Sequence, residues 1–194
     1  MKEDDFVGIA LSAAQEIVAP PLSVVRGAAL LYQITVDNRL IVRVKPRKPV
    51  RGQSAFQTDL CVFEEVCFEE DSKDVKVQIP RVVMEFKPGL SSHDVITYSA
   101  KARKHKNVYP YLRYGLVIAN EATIPGRFFI HNAALDFCIA AKSYRLNRVH
   151  EIFASILGAE IATSRQLEAI AFGQTAIHTY RSEILVHADG GKLV

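Results

Sequence analysis

The 194-residue sequence has no apolar run approaching the roughly 20 residues a membrane span requires. Its longest apolar stretches are short and interrupted, for example Ile152 to Leu157, so a soluble protein with no membrane partner is expected. The acidic start, Met1-Lys2-Glu3-Asp4-Asp5, lacks the apolar run and small-residue cleavage site of a secretory signal, and the cytoplasm is the expected compartment. Three cysteines, Cys61, Cys67 and Cys138, form no C-x-x-C and cannot all pair. Cys61 and Cys138 sit in apolar runs and read as reduced core residues. Glycine and proline are scarce, 10 and 8, which excludes collagen-like and low-complexity chains. G-x-G-x-x-G and G-x-x-x-x-G-K-[ST] are both missing, leaving no basis for Rossmann or P-loop phosphate binding. G-x-S-x-G and H-E-x-x-H are missing as well. The six histidines are dispersed, with no two at metal-binding helical spacing.

What is present is ordinary globular material, 49% hydrophobic and 23% charged. The length suits one domain, residues 1–194, able to bury about 70% of its unfolded surface without disulfides or a structural metal. Twenty-four Lys and Arg against 21 Asp and Glu leave a formal charge of +3, too little to name a partner. The placement of the charges carries more.

Phe6, Ile9, Ala10, Ala13 and Ile17 recur at helical intervals, so a leading helix over 3–18 is expected, stopped by Pro20-Pro21. Residues 22–36 fit helix or strand equally. Leu40 to Lys45 alternates well enough for a strand, and Lys45-Pro-Arg-Lys-Pro-Val-Arg51 reads as an exposed loop. Gln57 to Val66 reads as a second strand, Glu69 to Asp74 as a polar turn, and Val75 to Phe86 as the return, broken at Pro80 with its central part at 81–87. Ser91-Ser-His-Asp94 matches a capping box, so a helix over about 92–107 should follow. Arg113 to Asn120 is a buried strand, and Gly126–Ile130 and Leu135–Ala141 are candidate further strands. Val149, Ile152, Phe153, Ile156 and Leu157 fit a helical stripe, and Ser164 can cap another helix, which places C-terminal helices in 146–172. The expected class is α/β, an α+β mixed sheet flanked by helices.

Glu85 and Lys87 lie two apart on a strand otherwise built of Val82, Val83, Met84 and Phe86. Both project from one face, about 7 Å apart. Placing an acid and a base on such a strand is costly unless they are paired or solvated at a site, and Pro88-Gly89 ends the strand where a cleft can open. One strand earlier, Asp59 interrupts Phe56-Gln-Thr-Asp-Leu-Cys-Val-Phe63. If the two strands are neighbours, Asp59 and Glu85 can converge on one cation. Two carboxylates and a main-chain carbonyl suit Mg²⁺, and a lysine beside them can orient or deprotonate water. Phosphodiester hydrolysis is the chemistry this combination fits.

Asp59, then Glu85-Phe86-Lys87 on the next long strand, then a basic helix and the strand at 113–120 together resemble the PD-(D/E)XK nuclease superfamily. The resemblance covers about residues 40–120, with the helix at 3–18 as the leading helix, and implies a restriction-endonuclease-like core. It implies further that Asp59, Glu85 and the carbonyl of Phe86 hold Mg²⁺, with Mn²⁺ as a substitute, and that Lys87 positions the attacking water. Glu16 on the leading helix is the candidate for an additional acid. Thr58 stands where the family often has proline, and Asp94-x-x-x-Tyr98 replaces the Gln-x-x-x-Tyr of the RecB-like branch. The tripeptide [DE]-x-K is expected by chance about once in a chain of this composition. It occurs here three times, but Asp71-Ser-Lys73 and Asp74-Val-Lys76 belong to a charged run.

Arg39, Arg43, Lys45, Arg47, Lys48 and Arg51 form one basic segment, and Lys101, Arg103, Lys104 and Lys106 another. Both flank the carboxylates in sequence while acids gather at 64–74, so a divided surface that holds phosphate is expected. Tyr109, Tyr111 and Tyr114 read as packing residues. The function expected is a Mg²⁺-dependent DNA endonuclease acting as a homodimer, since one such site cuts one strand. The alternatives are a nuclease-like fold without turnover that binds nucleic acid or a protein partner, and a small-ligand enzyme of unrelated α/β fold.

Overall fold

The structure, a computed structural model, describes residues 3–142, 146–173 and 177–179. Helix α1 (Glu3–Ile17) leads into strands β1 (Leu22–Arg26) and β2 (Ala29–Leu31). Strands β3 (Val50–Arg51), β4 (Ser54–Gln57), β5 (Leu60–Glu70) and β6 (Lys73–Lys87) follow, then helix α2 (Ser92–Val108). Strand β7 (Arg113–Ile118), helix α3 (Gly126–His131), strand β8 (Phe137–Ala140) and helix α4 (Leu146–Ala171) complete the described chain. Five strands form a mixed sheet in the order β1-β5-β6-β7-β8, antiparallel up to β6 and parallel beyond it. A small sheet, β2-β4-β3, stands beside it. The class is α+β, a mixed sheet flanked by helices.

Alternation along β6 divides the core in two. Val82, Met84 and Phe86 join Leu60, Val62 and Val117 on the face covered by α1 and α4, where Phe6, Phe153 and Leu157 are buried. Val83 joins Cys61, Phe63, Leu116 and Ile118 on the face covered by α2 and α3. Full burial of a Leu or Phe side chain contributes about 1.5–3 kcal/mol. Ala10, Ala13 and Ala14 have no exposed area, which lets α1 approach the sheet closely enough for the Phe6 and Phe86 rings to meet edge-on at 5.5 Å. The side chains of Val149 and Ile152 lie outside the described residues.

Several expectations need correction. Residues 40–45 form no strand, and a lone bridge joins Val36 to Val42. The Asp37 carboxylate accepts the N–H groups of Arg39 and Ile41 and pairs with the Arg43 guanidinium, winding the segment into a turn with Leu40 at φ 60°. The polar turn is shorter than expected: Asp71 and Ser72, both at positive φ, make a two-residue connection of the kind that fits strand twist. Pro80 does not break β6. The pairing shifts by one residue between Val62 and Phe63, where Phe63 faces Pro80 and Val62 faces Val82, and such a bulge tolerates a residue with no N–H. Residues 126–131 are a helical turn begun at Pro125, not a strand; a short apolar run does not distinguish the two. The C-terminal segment is one helix, with Ser164 buried inside it instead of capping a second.

Candidate functional site

Asp59 sits at the corner between β4 and β5. The corner is fixed by Thr58, whose N–H and Oγ1 both donate to the Ala28 carbonyl at 2.9 and 3.0 Å. The Gly27 N–H donates to the Asp59 carbonyl at 3.1 Å. Beyond the last β5–β6 pair, Leu60 with Met84, the Asp59 carboxylate continues the ladder by accepting the Phe86 N–H at 2.8 Å. Lys87 gives its carbonyl to Ala119 on the β7 side, so by strand alternation both Phe86 main-chain groups face the Asp59 side. Asp59 thus lies against the Phe86 main chain, and Glu85, the preceding residue of β6, is close enough for its carboxyl to feel the Asp59 charge. Lys87 follows on the same face as Glu85.

Glu85 is 2% exposed. Lys101 of α2 donates to its Oε1 at 2.5 Å and to the Gln57 carbonyl at 2.7 Å, and the Tyr114 hydroxyl donates to the same Oε1. Burial pushes the Glu85 carboxyl from 4.5 to about 7; the Lys101 ammonium opposes this and the Asp59 charge adds to it. Lys87 instead lies over the Tyr98 ring, 5.6 Å from its centre, with Lys101 at 5.8 Å from the same ring. Burial and then Glu85 raise the Tyr98 phenol to about 12, so it is a proton donor at neutral pH. The capping box at Ser91 and Asp94 is formed and sets the start of α2. From there Tyr98 and Lys101, three residues apart, share a helix face.

Glu16 does not join the site. It is exposed on α1, which packs on the opposite sheet face from Glu85. The N-terminal half of α1 lies toward the Asp59 end, where Asp4 pairs with Arg26 at 2.8 Å; Glu16 lies at the other end of the helix. The basic segments separate too. Arg43 is paired with Asp37, and Arg47 forks onto Glu70 at 2.7 and 2.9 Å, 11 positions or roughly 35 Å of strand from Asp59. Lys45 and Lys48 are exposed in the same loop. The acids at 64–70 are interleaved with basic partners, Glu64 with Arg81 and Arg165 and Glu65 with Lys76, so the divided surface expected from the sequence is not formed there. Lys101 lies on α2 against Glu85, and Lys104 is exposed one turn further along the same flank; Arg103 is exposed too, but two positions from Lys101 it is turned to the other flank of the helix and does not join them.

The donor set is all oxygen, a carboxylate at the head of one strand, a carboxylate on its neighbour and a carbonyl edge directed the same way. That chemistry fits a hard divalent cation that retains several waters. Among the described residues no group of three or more His, Cys, Asp or Glu gathers to hold a metal, so carbonyl and water would supply what two carboxylates do not. No protein-family model matches the chain, and no curated protein matches it. Among the described residues, no helix is long and apolar enough to cross a membrane.

Tyr114 and Lys101 were not expected as partners of Glu85. Tyr114 pairs in register with Val83, two positions before Glu85 on the same face, a relation that exists only once β6 and β7 are known to be parallel neighbours. His105 lies behind them, fully buried. Its Nδ1 meets the Leu31 carbonyl at 2.8 Å, and its ring stacks on Tyr114 at 5.7 Å. Burial lowers it from 6.5 to about 4. The folded protein therefore resists a proton that the unfolded chain takes up, and stability is lost as pH falls from 6.5 through 4, by about 3 kcal/mol. Glu85 acts oppositely, since its raised pKa makes ionisation costly as pH rises from 4.5 to about 7. In His105→Asn, which keeps a donor for Leu31, the urea midpoint should rise on acidification from pH 7 to 4.5; a falling midpoint would contradict the assignment.

Proposed function

We propose that the protein is a metal-dependent endonuclease of the PD-(D/E)XK type that hydrolyses DNA phosphodiester bonds and works as a homodimer. The observation that carries the reading is the meeting of Asp59, Glu85 and the Phe86 main chain at the corner of β5 and β6, with Asp59 bonded to the Phe86 N–H at 2.8 Å. Asp59, Glu85 and the Phe86 carbonyl would hold Mg²⁺ or Mn²⁺, which supplies a more acidic water and stabilises charge on the phosphate. Lys87 orients the water for in-line attack and stabilises the negative charge that develops. Lys101 neutralises Glu85 within the protein, and the exposed Lys104 holds phosphate beside it.

Incubation of the purified chain with labelled DNA should give cleavage in Mg²⁺ and none in EDTA. Lys87→Ala should abolish that cleavage with the thermal transition intact. Undiminished cutting by purified Lys87→Ala would remove the mechanism. A second reading, a nuclease-like fold that binds without turnover, draws on the Lys101 ammonium 2.5 Å from Glu85, where a cation is already supplied by the chain. Calorimetry separates the two: the catalytic reading requires Mg²⁺ binding that Asp59→Asn removes, and the binding-only reading requires none.

A further inference from the structure

A groove of about 530 Å³ runs between α2 and the small sheet, within the roughly 300–1,000 Å³ typical of ligand pockets. One wall is aromatic, with the Phe56 and Tyr32 rings stacked at 4.0 Å and 18°. The other is α2. The Lys104 ammonium stands 5.5 Å from the Tyr32 ring and 5.8 Å from the Phe56 ring. Arg51, held by the Gln57 side chain at 2.8 Å, contributes a second cation; Lys101 also lines the groove, its ammonium paired with Glu85. No carboxylate among the described residues lines the groove, so its charge is uniformly positive around an apolar interior. At its inner end Lys101 is bonded to Glu85, which connects the groove to the carboxylate pair.

Cations surrounding a flat aromatic wall select an anion that carries a flat ring. A nucleotide meets both conditions, but its base can reach the wall only when unpaired, since in a duplex each base is stacked and turned toward its complement. We propose that this groove receives one unpaired nucleotide of the strand to be cut, its base against Phe56 and Tyr32 and its phosphate at Lys104 and Arg51. The adjoining phosphate then falls at Asp59 and Glu85. The preferred substrate is thus a single-stranded or frayed segment and not continuous duplex. This rests on the nuclease reading for the fate of the strand, but not for its binding.

Fluorescence anisotropy of the full chain in EDTA tests it, with a short labelled oligonucleotide presented single-stranded or as a blunt duplex. The single strand should bind at least about tenfold more tightly. Phe56→Leu keeps apolar volume but removes the stacking face, and should weaken single-strand binding about tenfold with duplex binding unchanged. Lys104→Gln, at an exposed position, should reduce the dependence of single-strand affinity on salt by about one counterion, and keeps the proposal testable should Phe56→Leu fail to fold. Equal affinity for the two forms, or single-strand binding unaffected in folded Phe56→Leu, overturns it. Strand preference without cutting in Mg²⁺ would retire the catalytic reading and leave the groove; cutting without strand preference would do the reverse.

Discussion

Glu85→Gln is expected to lower Mg²⁺-dependent cleavage of labelled DNA at least about a thousandfold, equivalent to ~4 kcal/mol in the barrier. The amide has the shape of the carboxyl, and its oxygen can still accept from Lys101 and Tyr114, both of which donate to Glu85 Oε1. What is lost is the negative charge that a hard cation needs. The same substitution has a signed effect on stability. In the native protein burial holds the Glu85 carboxyl at about 7 against 4.5, so its ionisation becomes progressively unfavourable to the fold as pH rises between those values. Glutamine removes that cost, and the urea midpoint at pH 8 should match or exceed that of the native chain. On acidification the variant no longer gains from Glu85 what it loses at His105, and should lose stability between pH 6.5 and 4. The native protein, with both groups, should vary little over this range. A variant that cleaves at the native rate would remove Glu85 from the metal site, and one whose midpoint drops at pH 8 would overturn the cost assigned to its burial.

Arg81→Met is expected to destabilise the protein by about 3 kcal/mol, the lower end of what breaking a buried ion pair costs. Arg81 is 3% exposed and bridges two elements, with Glu64 of β5 at 2.7 Å and Glu168 of α4 at 2.7 Å. It also lies over the Tyr111 ring. Removing the guanidinium leaves two partly buried carboxylates facing a methionine. The loss is limited because Glu64 keeps Arg165 at 2.6 Å, the contact that does most to hold its carboxyl below the usual range. Urea denaturation of Arg81→Met, Glu64→Gln and the double variant measures the coupling. The double variant should be more stable than the sum of the single losses predicts, since no unpaired charge remains at Glu64. Strict additivity would mean that the pair contributes nothing as a pair.

The carboxylates were legible in the sequence because an acid in an apolar strand is costly, and Asp59 and Glu85 each stand out on those terms. The capping box of α2 was legible for the same local reason. Tyr114 was not, because a tyrosine on an apolar strand reads as packing, and its bond to Glu85 depends on the parallel register of β6 and β7. Lys101 carried a positive charge that suited phosphate equally well, and only the helix placement brings it to Glu85. Arg43 and Arg47 were misjudged in the other direction. Arg47 finds its acid, Glu70, 23 residues away, a distance over which charge patterning along the chain says nothing about who pairs with whom. The helix at 126–131 was lost to its length, since six residues show neither period.

The bulge at Arg81 sets the phase of everything after it. Before it, Pro80 shares a face with Phe63; after it, Val83 shares that face with Cys61, so the parity of the strand inverts between 80 and 83. Arg81 and Val82 consequently point the same way, toward α4. Pairing the same residues without the bulge, with Arg81 opposite Val62, would act as a frame shift in three dimensions. Glu85 and Lys87 would turn inward among Phe6 and Phe153, and Phe86 would occupy the cleft in their place. The chemistry of the corner is thus encoded partly in a single surplus residue several positions upstream that touches none of it.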